Sequence, residues 1–423
     1  MPSLGEIIAP RRLGRDFRWL MASTWTSNIG DGIALSAAPL LIASLTSSPL
    51  LVAAGVMMQY LPWLLFGLLG GSVADQHDRR RLVMIADGSR SIVVLGLVAF
   101  LVTGHVTVWI VLVMAFLYGT AEVFADTAGS TLLPMLVRKT DLGVGNARMQ
   151  AGFLVGNQLA GPPLGAFLFA AGSFWPFVTQ IVCVSLRVVL ISRIARTPRS
   201  ADDLAGDLAP LTVADQHPIR EGLRWLRANP SVRTLVLIIL VFNVTWAAPW
   251  SVLVLYATRH LGLGALGYGA LTTASALGGI LGIVSFGWLE RHVKFATLMR
   301  ICLSLEVIMH LSFALTTSSI LAYVIMFVFG AYAFVWGTIS TTVRQRLVPL
   351  PLQGRIASVN MVGVFAGLVI GQLLGGLIAQ TWGLTAPWWF AFAGSAVTLA
   401  IVWRSISHIT AARPNAEEDE QHQ

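Results

Sequence analysis

Continuous apolar runs of about 20 residues recur along the whole chain, separated mostly by short polar connections. Backbone that crosses a bilayer must satisfy every N–H and C=O internally, which leaves helices or closed barrels. A barrel would read as alternating strands of about ten residues; these runs do not alternate. The chain is therefore predicted to be an all-α polytopic membrane protein. Only 11% of its 423 residues are charged and 56% are hydrophobic, whereas soluble chains carry about 25% charged residues. Twelve spans are predicted: 17–45, 50–72, 82–103, 106–126, 147–171, 175–194, 233–258, 266–289, 296–316, 320–342, 357–381 and 387–406.

The formal net charge is +8. The basic residues sit in loops beside apolar spans, so membrane topology accounts for them and nucleic acid is not expected as a partner. Arg11, Arg12, Arg15 and Arg18 precede the first span. Alternate loops then carry Arg79 to Arg81, Arg138 with Lys139, Arg196 to Arg227, Arg291 with Lys294, and Arg344, Arg346 and Arg355. Arg259 is the only Lys or Arg in the opposite set of loops. Both termini are predicted to be cytoplasmic, in a cell inner membrane. Predicted domains are a six-helix bundle over 1–194, a cytoplasmic central loop over 195–231, a second bundle over 232–407 and an acidic cytoplasmic tail over 408–423. In the central loop, Ile219, Leu223 and Leu226 alternate with Arg220, Arg224 and Arg227, the pattern of an interfacial amphipathic helix.

Several classes are disfavoured. Cys183 and Cys302 lie inside apolar spans and imply no disulfide framework. No phosphate-binding GxxxxGK[ST] occurs, so ATP drive within this chain is not expected. The eight histidines are scattered without HExxH or CxxC, so neither a metalloenzyme nor a cofactor is expected. The first span is too long for the apolar core of a cleavable signal peptide.

The halves look related. "TLLPMLV" (Thr131 to Val137) and "TVRQRLV" (Thr342 to Val348) are followed, one span later, by "GPPLGA" (from Gly161) and "GQLLGG" (from Gly371). Duplicated halves around a midplane site are the mark of a secondary transporter.

"GSVADQHDRRRL" resembles the loop between spans two and three of the major facilitator superfamily, with Gly71, Ala74, Asp75, Arg79, Arg80 and Leu82 matching. Asp78 where glycine is usual, "NIGDGIALSAAPLLI" in span one and "VFADTAGSTLLPMLV" resemble the branch of macrolide-efflux and enterobactin-exporter-like proteins. The resemblance implies two pseudo-symmetric six-helix bundles and transport by alternating access. It implies a conformational latch of Gly71, Asp75, Arg79 and Arg80, with Asp75 facing the start of span eleven and the arginines gripping Asp126. The competing reading of Arg79 to Arg81 is topological anchoring alone. Gly161, Pro162 and Gly165 resemble an antiporter stretch in span five; ordinary small-residue packing predicts the same residues.

Ionisable residues inside a membrane are functional candidates because their burial is costly. Asp31 lies 13 residues past Arg18, roughly 20 Å along a helix, and Glu122 lies 12 residues before Pro134, roughly 18 Å. Both are proton-coupling candidates; helix packing is the alternative for Asp31. Asp87 with Arg90 on span three, Glu306 with His310 on span nine, and Arg187 on span six read as structural pairs or secondary proton-path residues. In the resemblance, spans one, four, seven and ten line the cavity and spans three and nine are peripheral. Trp25, Asn28, Tyr118, Asn243, Trp246, Trp250, Tyr332 and Trp336 are then substrate-cavity candidates, since flat rings beside acids suit amphipathic cations or neutral polycyclic molecules. Trp388 and Trp389 are expected at the lipid interface.

The expectation is a monomeric transporter in the bilayer, driven by a proton gradient and exporting a small amphipathic molecule, cationic or neutral because the cavity spans carry acids and no evident Lys or Arg. The alternatives are a lipid flippase or uptake carrier, or a non-transporting receptor, on the same fold. An enzyme is not expected, because no catalytic cluster is visible.

Overall fold

A computed structural model describes residues 11–195, 224, 226–348, 353–403 and 406. Among these, eleven helices are long and apolar enough to cross a membrane, and Ala386–Val402 is a shorter apolar helix of 17 residues. The predicted acidic tail lies outside the described residues, as does most of the central loop; of its amphipathic segment Arg224 and Leu226 to Pro230 are described, with Leu226 buried against Val232 and Val236.

The helices are α1 (Gly14–Leu45), α2 (Pro49–Gln76), α3 (Arg79–Val102), α4 (Val108–Ser130), α5 (Leu142–Ala171), α6 (Trp175–Ser192), α7 (Pro230–Trp250), α8 (Ala265–His292), α9 (Phe295–Leu315), α10 (Ser319–Leu347), α11 (Gln353–Trp382) and α12 (Ala386–Val402). Their starts follow from local chemistry. The side chains of Ser48, Asp78, Thr107 and Ser318 accept backbone N–H groups of the first turns of α2, α3, α4 and α10. Proline opens α2, α6, α7 and α12, where its missing N–H costs nothing. Asp78, where the resembled motif has glycine, thus caps α3.

The packing repeats with a shift of six helices. In the first half α1 packs on α5 and α6, α2 on α4, and α3 on α4 and α6. In the second α7 packs on α11 and α12, α8 on α10, and α9 on α10 and α12. The halves meet through α2 against α11 and α5 against α8. Without a hydrophobic force between helices in lipid, close approach of backbones drives packing. A Cβ on Gly165 of α5 would lie 2.2 Å from the Ile33 carbonyl of α1, and one on Gly161 would lie 2.5 Å from Gly32 Cα. Ser36 Oγ donates to the Pro162 carbonyl at 2.8 Å. In the second half Gly371 and Gly375 meet the Val244 and Ala248 carbonyls of α7 in the same way.

α5 is not a regular helix. Phe153–Ala160 is π-helical. Pro162 and Pro163 supply no N–H to the carbonyls one turn earlier, and the register widens there.

At the end remote from the chain termini the halves touch. Ser48 Oγ donates to Gln380 Oε1 at 2.9 Å, and Arg259 Nη1 donates to the Ser47 carbonyl at 3.1 Å. Ala53, Val252 and Ala379 form a small apolar cluster with Leu384 beside them.

Replacing Gly165 with valine forces Cβ into the α1 backbone. It is expected to cost about 2 kcal/mol or more, seen as a lower unfolding temperature of the purified protein in detergent, whereas Gly71→Ala, with nothing within 4 Å of its Cβ position, leaves that temperature unchanged.

Candidate functional site

Arg90 of α3 is fully buried, and its terminal guanidinium nitrogens donate to oxygens from three helices. Nη1 donates to Asp87 Oδ1 at 2.9 Å. Nη2 donates to Asp31 Oδ1 of α1 at 2.5 Å, to the Tyr118 hydroxyl of α4, and to Glu122 Oε1 of α4 at 3.4 Å. The guanidinium also lies over the Tyr118 ring, 4.4 Å from its centroid. Tyr118 in turn donates to Asp31 Oδ1 at 2.6 Å, and Ser27 Oγ donates to Asp31 Oδ2 at 3.0 Å.

A second buried arginine extends this network. Arg187 of α6 has Nε 3.2 Å from Asp87 Oδ2, while Nη1 donates to Ser27 Oγ at 3.0 Å and to Asp126 Oδ1 of α4 at 3.3 Å. Four carboxyls and two guanidiniums therefore form one connected array across α1, α3, α4 and α6. A buried charge is tolerated only when paired and hydrogen-bonded, and Asp87, wholly buried between two arginines, is the hub.

The array opens onto a cavity of about 360 Å³. Asp31, Tyr118, Glu122 and Asp126 form its charged wall. Gln59, Tyr60 and Trp63 of α2 face it, and Phe365 of α11 closes it from the other half. Trp63 and Phe365 stack with centroids 5.5 Å apart and planes 11° from parallel. A second cavity, of about 590 Å³, shares Asp126 and Phe153 and is lined by Thr24, Asn28, Asn146 and Gln150 among others.

Several expectations need correction. Arg90 lies on a helix expected to be peripheral, yet with Arg187 of α6 it holds the carboxyls of the cavity wall from behind; neither arginine lines the central cavity itself. A guanidinium on a long stem reaches past its own helix. Arg79 and Arg80 do not grip Asp126. α4 continues to Ser130, which keeps Asp126 a turn inside the helix and beside Arg187. Arg79 instead pairs with Asp75 at 3.3 Å and contacts Met135 Sδ, and Arg80 caps the end of α6 through the carbonyls of Ile191 and Ser192. The Asp75 side chain is 72% exposed, and the first side chains of α11 that it was expected to face lie outside the described residues.

The aromatic stripes of α7 and α10 do not line either cavity. Trp246 stacks on Trp250, which packs on Phe329 and Trp388. Trp388 is fully buried against Phe313 rather than interfacial, whereas Trp389 is exposed. Trp336 lies beside Phe242, and the Asn243 amide donates to the Ile239 carbonyl. Tyr332 turns toward α9 and donates to Glu306 Oε2 at 2.7 Å, in a buried cluster with His310, whose ring sits 3.6 Å from Glu306 Oε1. Trp25 also misses the central cavity: its indole N–H donates to the Arg148 carbonyl and its ring covers Gly152. Asn28 lines the second cavity. Gly161, Pro162 and Gly165 sit at the α1–α5 contact described above, and Gly71 is open.

Arg90 and Arg187, read from the sequence as structural or secondary proton-path residues, hold the site together; Gln59, Tyr60, Trp63 and Phe365 were missed. The two arginines carried a usable signal, because each sits mid-span with acids on neighbouring spans. Among the described residues, no group of three or more His, Cys, Asp or Glu is placed to hold a metal ion.

Residues 7–422 match the family described as transmembrane secretion effector. The chain belongs to that family of the major facilitator superfamily. It is a multi-pass membrane transporter, not an enzyme. Its relatives include the multidrug efflux pump Tap of Mycolicibacterium fortuitum, 27% identical over 381 residues, with 87% of this chain and 90% of that protein covered. Macrolide efflux protein A of Streptococcus pyogenes is 23% identical (86% and 89% covered). Enterobactin exporter EntS of Escherichia coli O1:K1 / APEC is 25% identical (86% and 85% covered). Among solved structures, a bacterial homologue of the iron transporter ferroportin in an inward-facing state has a TM-score of 0.72 at 19% identity, covering 93% of this chain and 98% of that one. The nucleoside transporter NupG has a TM-score of 0.68 at 12% identity, covering 95% and 100%. These structures share the fold.

Removing the Arg90 guanidinium leaves Asp87 and Asp31 without their main counter-charge. Arg90→Leu is expected to destabilise the purified protein by about 3 kcal/mol or more, read as a lower unfolding temperature, and pairing it with Asp87→Leu should recover part of that loss.

Proposed function

We propose that this protein is a proton-coupled exporter of a small amphipathic molecule, cationic or neutral, working by alternating access between its two six-helix halves in the cell inner membrane. The observation that carries this reading is the carboxyl-rich wall of the central cavity, where Glu122 faces the space a cargo would occupy and is held by a single long contact to Arg90. A carboxyl so placed binds either a proton or the positive end of a cargo, and competition between the two is the coupling that antiport requires. Efflux relatives spanning most of the chain support export over uptake.

The basic loops support an orientation with both termini in the cytoplasm. The end where Ser48 meets Gln380 and Ala53 meets Val252 and Ala379 is then the outer end, and contacts of this kind there suit an inward-facing conformation. Cargo binds from the cytoplasm, the halves rock about the α2–α11 and α5–α8 contacts, and protons from outside displace the cargo.

Proteoliposomes test the coupling. Glu122→Gln is expected to lower pH-gradient-driven efflux about tenfold or more, the loss of a coupling free energy of ordinary size, while cargo exchange at equal pH on both sides persists. If Glu122→Gln and Asp31→Asn both leave gradient-driven transport intact, proton coupling at this wall is wrong. Asp75→Asn is expected to slow transport by loosening the Asp75–Arg79 pair without reducing the amount inserted in the membrane; equal loss of both returns the α2–α3 loop to mere anchoring.

A further inference from the structure

The four carboxyls of the array are not equivalent. Asp31 accepts three hydrogen bonds, from Arg90, Tyr118 and Ser27. Asp87 is wholly buried between both arginines. These two acids balance the two arginines, so Asp31, Arg90, Asp87 and Arg187 form a closed core of zero net charge. Glu122 and Asp126 are left over. Each has one contact to an arginine, at 3.4 and 3.3 Å, and their side chains are 22% and 43% exposed. They stand one turn apart on α4, with Cβ atoms about 6 Å from each other, and both line the cavity.

From this pairing we infer that Asp126 is a second proton-exchanging carboxyl beside Glu122, so that the site trades two positive charges per cycle and takes a cationic cargo. The inference rests on the proton-coupled reading above and fixes its charge balance.

The arginines permit it. When Asp126 takes a proton, Arg187 keeps a partner, because its Nε already lies 3.2 Å from Asp87 Oδ2, a fully buried atom with no hydrogen bond of its own. When Glu122 takes a proton, Arg90 keeps Asp31 and Asp87. Neither protonation strands a buried guanidinium. By contrast, a proton on Asp31 or Asp87 breaks the core. Around Glu122 the other ionisable groups are Arg90 of α3, Asp31 of α1, Asp126 and Tyr118 of α4, Arg187 of α6 and Tyr60 of α2; around Asp126 they are Arg187, Asp87 of α3 and Glu122 itself.

In the inward-facing form the two carboxyls release their protons to the cytoplasm, breaking two O–H bonds, and the two carboxylates bind the cargo. In the outward-facing form two protons from outside re-form those bonds and the cargo leaves. A singly charged cargo then moves out against two protons moving in, one net charge inward per cycle. A doubly charged cargo exchanges without net charge.

The full chain reconstituted in proteoliposomes decides this, with ethidium and tetraphenylphosphonium as singly charged probes. A potassium diffusion potential is imposed with valinomycin at equal pH on both sides, and proton movement is read with an entrapped pH dye. The wild type is expected to accelerate with the potential and to move two protons per probe molecule. Asp126→Asn is expected to move one proton per probe molecule with no response to the potential, and Asp126→Glu to restore both. A wild type that exchanges one proton per probe, or an Asp126→Asn protein that keeps two, overturns the inference. If neither cation moves while a neutral macrolide does so in a Glu122-dependent manner, the proton-coupled reading stands and the two-charge inference falls. If no pH-driven transport depends on Glu122, the reading itself falls.

Discussion

A guanidinium sealed from solvent has to be neutralised by its neighbours, and Arg90 sets the arrangement of the first half for that reason. Its partners come from α1, α3 and α4, and through Asp87 it is tied to Arg187 on α6. Four of the six helices are thus joined by charge rather than by shape alone. The second half has the same helix pairing but a different interior. There Trp250, Phe329, Trp388, Phe313 and Tyr256 pack ring against ring, and its buried polar cluster is the small set around Glu306, His310 and Tyr332. These rings bind no proton. The titratable groups that line the cavity all belong to the first half, and the interior of the second is mainly packed rings.

Movement requires that the contacts between halves be shallow. Where α5 meets α8, Gly269 faces Ala166, and where α2 meets α11, Gly376 faces Ala53 and Gly67 faces the end of Met361. Small residues let backbones approach closely while offering little interlocking surface. The π-helical stretch of α5 sits within the same helix, between the cavity residue Phe153 and the two prolines that begin its outer segment. α5 therefore combines a tight fit to α1, a smooth face to α8 and an irregular centre beside the cavity.

The twelve helices were legible because burial in lipid leaves one solution for a continuous apolar run, and capping and proline chemistry mark its ends. The carboxyls were legible for a related reason: Asp31 and Glu122 are costly wherever they are placed in a span. What sequence could not supply was the facing of each side chain. Trp246 and Trp250 share a helical stripe whether that stripe meets the cavity or the packed interior, and only the packing of α7 against α10 and α12 decides it. The same ambiguity hid Arg90, which reads as a local i, i+3 pair with Asp87 but also spans the gap to α1 and α4. Trp63 and Phe365 lie in different halves of the chain and become neighbours only when the two halves meet.

The cavity is built almost entirely by the first half, with Phe365 as the contribution of the second. A cargo resting there is gripped by one half while the other half does the sealing. The Trp63–Phe365 stack bridges the two exactly at the cavity edge, so a flat molecule that slips against Trp63 competes with Phe365 for the same ring face. Parallel rings attract through that face whichever ring is offered. In the proposed cycle, cargo binding and the loosening of the α2–α11 contact then become a single event.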